Sequence, residues 1–194
     1  MHLSDAVSIL ADTTGASHGR FETVARRLQE AGMLPKSEGG SNRPSIKIEH
    51  AIMILLGHLS GASYGDVAAT VTRLVTYQNK SEHGEGDALR FITRMLSALV
   101  ELDMGLKGKF AYHSAISVVS GDRPAIVIRV STNDDDPLEL AFTPGGEQWQ
   151  PHLCGDIVET RTLPGRVLFR ISHAIRSLLP PALERRTFPF EVTA

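Results

Sequence analysis

Residues 11–34 constrain this chain more than any other stretch. Gly15 and Gly32 bracket a run in which Phe21, Val24, Ala25, Leu28 and Ala31 recur at i, i+3, i+4 and i+7 spacing. That period puts them on one side of an α-helix, which must bury that side. Ser17 begins a polar turn, Gly15 is a natural left-handed stop, and Gly32 ends the second run. Ahead of Gly15, the apolar residues Val7, Ile9, Leu10 and Ala11 give a shorter helix over residues 3–13, with Ser4 and Asp5 at its start. The spacing predicts two helices joined by a turn of a few residues, the corner of a helix-turn-helix.

Met33-Leu34 and Ile46-Lys47-Ile48 are short apolar pieces on either side of a segment with two glycines and two prolines. Such a segment turns the chain, and the two pieces are expected to pair as a β-hairpin directly after the second helix. Residues 49–60 are apolar nearly all round and are expected to form a buried supporting helix. After a turn at residues 61–66, Val67, Val71, Leu74, Val75 and Gln78 define an amphipathic helix. Residues 78–86 are polar and glycine-containing, the composition of a linker or exposed loop. Ala88, Leu89, Ile92, Met95, Leu96, Leu99 and Leu102 then mark a further helix ending near Gly105.

From there the period changes to two. Tyr112, Ser114, Ile116 and Val118 alternate with their neighbours, Ile126, Ile128 and Val130 share one face, and Leu138, Leu140 and Phe142 make a third strand. Turn residues separate these runs, so an antiparallel meander is expected. Residues 143–152 read as irregular and residues 157–162 as a fourth strand. Val167, Leu168, Ile171, Ala174, Ile175 and Leu178 give a last helix, with Pro164 in its first turn and Pro180-Pro181 as its stop. The expected class is α+β: a winged helix-turn-helix over residues 1–61, a helical linker or association region over 62–105, and a small antiparallel sheet with one packed helix over 106–194. The apolar faces of the two middle helices are candidate association surfaces, with ordinary core packing as the other reading.

Charge and composition narrow the function. The formal net charge is −2, which argues against sequence-independent coating of nucleic acid. Cys154 is the single cysteine, so no internal disulfide forms, and no zinc framework is present. No apolar run approaches a bilayer span and no basic leader is seen at the start, so a cytoplasmic protein without membrane contact is expected. His50 and His58 are eight apart on one helix but lack i+4 partners, and His152 with Cys154 would supply only two metal ligands. Cys154 with His152 or His113 would lack an oxyanion motif, and Asp134-Asp135-Asp136 lacks the continuing pattern of a calcium loop. No phosphate-binding glycine loop, nucleophile elbow or dinucleotide fingerprint occurs. The expectation is a protein that is not an enzyme, without catalytic residues, metal or cofactor.

One basic concentration remains. Between residues 17 and 47, six cationic side chains stand against three anionic ones, a local balance of +3. A major groove admits one α-helix whose back is anchored in a small core. Phe21, Val24, Ala25 and Leu28 can anchor it, while Ser17, His18, Arg20, Thr23, Arg26 and Arg27 are candidate contacts to bases or phosphates. Lys36, Asn42, Arg43 and Lys47 are candidates in or beside the wing, with Ser41 also in the loop. The alternative is an ordinary helical hairpin with solvated arginines.

The Ala-x-x-x-Gly turn and the ending Arg26-Arg27-Leu28-Gln29-Glu30-Ala31-Gly32-Met33-Leu34 resemble bacterial and phage winged helix-turn-helix domains. The overall layout is also similar to DNA-binding proteins of alphaproteobacterial prophages. The resemblance implies that the second helix enters the major groove of double-stranded DNA and that a wing follows it. A single unit has a small interface, so a homodimer or higher oligomer on a repeated site is expected. The expected role is sequence-specific DNA binding as a transcriptional regulator. A packaging subunit resembling a small terminase, or a protein-interaction adaptor, are the alternatives.

Overall fold

In the computed structural model, residues 1–36, 45–80, 86–101, 114–121, 123–130, 138–149 and 157–178 are described. The first two helices form where the spacing placed them. Helix α1 covers Leu3–Thr14 and stops at Gly15, whose φ of 72° is the left-handed conformation that disfavours a Cβ. Helix α2 covers His18–Glu30, and the Ser17 side chain accepts from the Arg20 amide as its N-cap. Phe21, Val24, Ala25 and Leu28 are its buried residues.

The expected hairpin between Met33-Leu34 and Ile46–Ile48 is replaced by a longer-range pairing. His2 forms an antiparallel bridge with Ser45, and the Ile46 amide donates to the Met1 carbonyl at 3.1 Å. Ile48 belongs to helix α3, Ile48–Leu59, for which Lys47 is the N-cap position. The central loop of the expected wing, residues 37–44, lies outside the described residues together with the candidates Asn42 and Arg43.

Helix α3 is the hub. It packs against α1 and α2, against α4 (Val67–Val75) and α5 (Ala88–Glu101), and against the sheet. Its all-round apolar pattern is the consequence. Helix α4 ends at Val75, three residues before the expected Gln78. The ends of the expected linker pair with each other: β1 (Gln78–Asn79) and β2 (Gly86–Asp87) form an antiparallel two-stranded ribbon.

The larger sheet contains β3 (Ala115–Gly121), β4 (Ala125–Val130), β5 (Leu138–Phe142) and β6 (Ile157–Pro164), all antiparallel. Its order is β5-β4-β3-β6. Three strands form the expected meander, but the fourth returns beside the first, which is Greek-key order. Ile116, Val118, Ile126, Ile128, Val130, Leu140, Phe142 and Leu163 face the helices. On the other face Val119, Ala125 and Val127 pack with Ala141 and Trp149. Pro164 closes β6 and is the N-cap of helix α6 (Gly165–Ala174), one position before the expected helical turn. A 3-10 turn, Arg176–Leu178, follows. Helix α6 packs on α1 and α5.

One buried cluster contains residues from α1 through α6 and from β3 to β6, so helices and sheet share a core across residues 61 and 105. The apolar faces of α4 and α5 are spent in that core: Val67, Val71, Leu74, Ile92, Met95, Leu96 and Leu99 are all buried. Among the described residues no helix is long and apolar enough to cross a membrane.

Candidate functional site

Helix α2 shows solvent a ridge opposite its buried face. Gly19, Glu22, Arg26, Arg27 and Glu30 are exposed, and Thr23 is half-buried beside them. The arginines do not stand free. Arg27 Nη1 donates to Glu30 Oε2 at 2.8 Å, and Arg26 Nε lies 3.9 Å from Glu30 Oε1. His18 Nδ1 is 3.4 Å from Glu22 Oε1, and His18 Nε2 is 3.1 Å from Ser8 Oγ on α1. Exposed pairs at i+3 and i+4 contribute only about 0.3–0.5 kcal/mol. A phosphate can therefore displace Glu30 from either arginine at small cost.

Several candidates have structural duties. The Ser17 hydroxyl caps α2. Thr23 Oγ1 donates back to the Gly19 carbonyl at 2.8 Å. Lys36 Nζ approaches the Glu30 carbonyl at 3.5 Å, near the end of α2. Lys47 is exposed, and its amide donates to His50 Nδ1 at 3.0 Å, closing the first turn of α3.

Arg20 departs from the outward-facing expectation. It is half-buried, and its Nε donates to His58 Nδ1 at 3.1 Å, tying the start of α2 to the end of α3. The His58 ring packs on Phe21 with centroids 4.6 Å apart. Burial, and then the charges of Arg20 and Arg161, push the His58 pKa down to about 4. His58 is thus neutral at pH 7. With Nδ1 accepting, its proton sits on Nε2. Tyr64, 43% exposed, lies beside this group, with the Arg20 guanidinium 6.0 Å from its ring centroid.

Arg161 and its neighbour Glu159 come from β6. Arg161 pairs with Val118 and Glu159 with Ser120 across the strands, so both share the helix-facing side with Leu163. Arg161 Nε donates to Glu159 Oε1 at 2.6 Å. Sequence reading singled out neither Arg161 nor Tyr64, and took His58 only as half of a histidine pair. The alternation Glu159-x-Arg161-x-Leu163 was the available sign that charges sit on the inner face of a strand.

His50 and His58 serve different partners at opposite ends of α3. His113, Asp134-Asp135-Asp136, His152 and Cys154 lie outside the described residues. Among the described residues no group of three or more His, Cys, Asp or Glu side chains is placed to hold a metal ion. Comparison of the chain with protein-family models, with curated proteins and with solved structures finds no match in any of the three.

Proposed function

We propose that the chain binds double-stranded DNA in a sequence-specific way through α2, as a winged helix-turn-helix protein. The observation that carries this reading is the α1–α2 corner. A three-residue turn joins the helices, α2 is anchored by Phe21, Val24, Ala25 and Leu28, and its opposite side is polar and carries Arg26 and Arg27. The His2–Ser45 bridge adds support. It brings the Ser45 end of the segment after α2 back to the start of α1, and Gln29 holds its Pro35 end beside α2, where a wing would flank a duplex.

In this reading α2 lies in the major groove. Thr23, Arg26 and Arg27 reach base edges or phosphates, and His18 and Ser17 approach from the helix start. Lys36, Asn42, Arg43 and Lys47 meet the flanking backbone. One helix buries little surface on DNA, so two copies act on a repeated site, as a regulator of transcription does.

Selection of bound duplexes from random DNA, followed by binding measurements, tests the proposal. Wild-type protein is expected to enrich a repeated half-site. Arg26→Ala with Arg27→Ala is expected to weaken binding at least about tenfold and to flatten its salt dependence by one to two charges. No enrichment, or unchanged affinity in the double variant, would sink the model.

A further inference from the structure

Strand β6 is an edge of the larger sheet: β3 lies on one side of it, and among the described residues no strand lies on the other. An antiparallel ladder turns the N–H and C=O groups of alternate residues toward each side. The Gly165 amide donates to the Ser114 carbonyl at 2.6 Å, in line with the register that pairs Ile116 with Leu163. That bond sets the phase. Leu163, Arg161 and Glu159 turn their backbone groups toward β3, and Thr160 and Thr162 turn theirs outward. Both threonines are exposed and β-branched, which suits a strand. Pro164 has no N–H to offer at one end, and a register shift at Ser120/Gly121 interrupts the ladder at the other. A short open edge lies between them.

The charges on this edge alternate in sign. Glu159 and Arg161 stand two residues apart on the helix-facing side, with side chains 46% and 34% exposed. Their bond uses Glu159 Oε1 and Arg161 Nε, so Oε2 and the terminal guanidinium nitrogens remain for a partner. Gly61 beside them has φ of 67°, and a Cβ there would stand 2.9 Å from Glu159 Oε2 and 3.0 Å from Arg161 Cζ. Glycine thus keeps the end of α3 from crowding the pair. Inward charges on an edge strand can serve to block edge-to-edge pairing. Blocking works when a charge meets its like or meets no partner. A second β6 laid antiparallel across a two-fold axis at Thr160 does neither: Glu159 falls opposite Arg161 of the second copy, and Arg161 opposite its Glu159. An axis at Glu159 or at Arg161 would face that residue with its own like charge. With the axis at Thr160, the outward groups of the two threonines bond each other. The charges then take the non-hydrogen-bonded positions, where side chains come closest.

We propose that β6 pairs antiparallel with β6 of a second copy of this chain, centred on Thr160, so that two four-stranded sheets join into one. The pairing goes beyond the DNA-binding reading: it supplies a contact between the two copies which that reading invokes, and it needs no duplex to form. The edge is short and polar, so the association is weak. Copies are separate at micromolar concentration and pair when crowded or when held side by side.

Disulfide trapping reads a weak pairing. In a Cys154→Ser background, Thr160→Cys puts a cysteine on the axis, with Cα atoms about 5.5 Å apart across a hydrogen-bonded pair, within disulfide reach. Thr162→Cys lies on the same face, but its counterpart is four residues along the opposite strand, about 14 Å away and out of reach. Under mild oxidation without DNA, Thr160→Cys is expected to form the covalent dimer several-fold faster than Thr162→Cys. Equal rates would overturn the pairing. Charge reversal then tests the register. Added to Thr160→Cys, Glu159→Lys leaves two cations on the edge and Arg161→Glu leaves two anions. Each is expected to dimerise more slowly by itself, and a mixture of the two to give mostly the mixed dimer. A statistical mixture would overturn the register chosen by charge. The comparison of Thr160→Cys with Thr162→Cys decides the pairing even where a reversal fails to fold. No duplex is present, so a wild type that binds no DNA would sink the DNA reading and leave this result standing. A Thr160→Cys protein that stays monomeric would sink the pairing and leave DNA selection untouched.

Discussion

Replacing Gly57 by alanine should destabilise this protein, although the substitution favours an isolated helix. Gly57 lies inside α3, where alanine is better than glycine by about 0.8–1 kcal/mol. The space beside it reverses the sign. An added Cβ would stand 2.7 Å from Val24 Cγ1 on α2, 3.1 Å from Val67 Cγ2 and 3.2 Å from Val71 Cγ2 on α4. Carbon atoms prefer about 3.5–4.0 Å, so the first contact is too close by roughly 1 Å and the others by about half that. All three neighbours are β-branched and stiff at χ1, so they cannot swing aside. Helices α2 and α4 must move away from α3 instead. Overpacking of a tight core costs about 1–3 kcal/mol, and a three-sided clash belongs near the top of that range. After subtracting the helical gain, Gly57→Ala should lose about 1–2 kcal/mol, seen as a melting temperature lower by about 2–8 °C. Gly19→Ala is the control. It places the same methyl on α2 with nothing within 4 Å and should be neutral or slightly stabilising. Gly57→Ala combined with Val24→Ala should lose less than the two single losses added, by about 1 kcal/mol, because the second change removes the obstructing methyls. Urea and thermal melts followed by circular dichroism decide it. A Gly57→Ala protein as stable as Gly19→Ala would refute the close approach of α2 and α4 to α3.

The other predictions concern the shared core and His58. Leu96, fully buried on α5, should cost about 2–5 kcal/mol as Leu96→Ala, with a urea midpoint independent of protein concentration. A concentration-dependent midpoint would instead mean that the α5 face joins two copies. His58 has its pKa lowered to about 4 against 6.5 when unfolded, so the unfolded chain binds the extra proton first as pH falls. Its contribution to stability should be complete above pH 6.5 and decline between about 6.5 and 4. His58→Gln should remove that part of the pH slope, and an NMR titration of His58 with a midpoint near 6.5 would contradict the burial described.

Local periodicity carried the helices well. The apolar spacing in residues 3–31 marked both α1 and α2, and Ser17 and Gly15 marked the turn between them, because caps and stops act within a few residues. The same holds for β3, β4 and β5. What stayed hidden depends on partners distant in the chain. His2 pairs with Ser45, and nothing near either residue announces it. Strand β6 pairs with β3 rather than β5, which adds a Greek-key return to the three-strand meander that the sequence predicts. That choice also sets which face of β6 meets α3, and hence where Arg161 lies. Arg20 was legible as a basic residue near the start of α2. Its bond to His58 was not, since the two are 38 residues apart and each was read on its own helix. Gly57 did leave a trace. An isolated glycine in an otherwise apolar helix often marks close packing, and here two helices use the space.

A helix that reads a groove must hold its orientation, because base contacts tolerate small errors only. Helix α2 is fixed along its length by its buried face, at its start by the Arg20–His58 bond, and near its end by the Gln29 side chain donating to the Pro35 carbonyl at 2.9 Å. Just beyond that end, Thr72 of α4 donates to the Met33 sulfur at 3.4 Å. Two of these holds depend on α3 and α4, whose apolar faces are therefore committed to the core. The same commitment bears on assembly. The sequence offered the faces of α4 and α5 for self-association, and the structure spends them on supporting α2 and the sheet. Among the described residues Tyr64 is the one large hydrophobic side chain left exposed, with the Arg20 guanidinium 6.0 Å from its ring centroid. If two copies act together on DNA, the described surface gives them no apolar face on which to pair beforehand. The spacing of half-sites on the duplex would then bring the copies together, and binding to a two-site duplex would depend on that spacing more than on protein self-affinity.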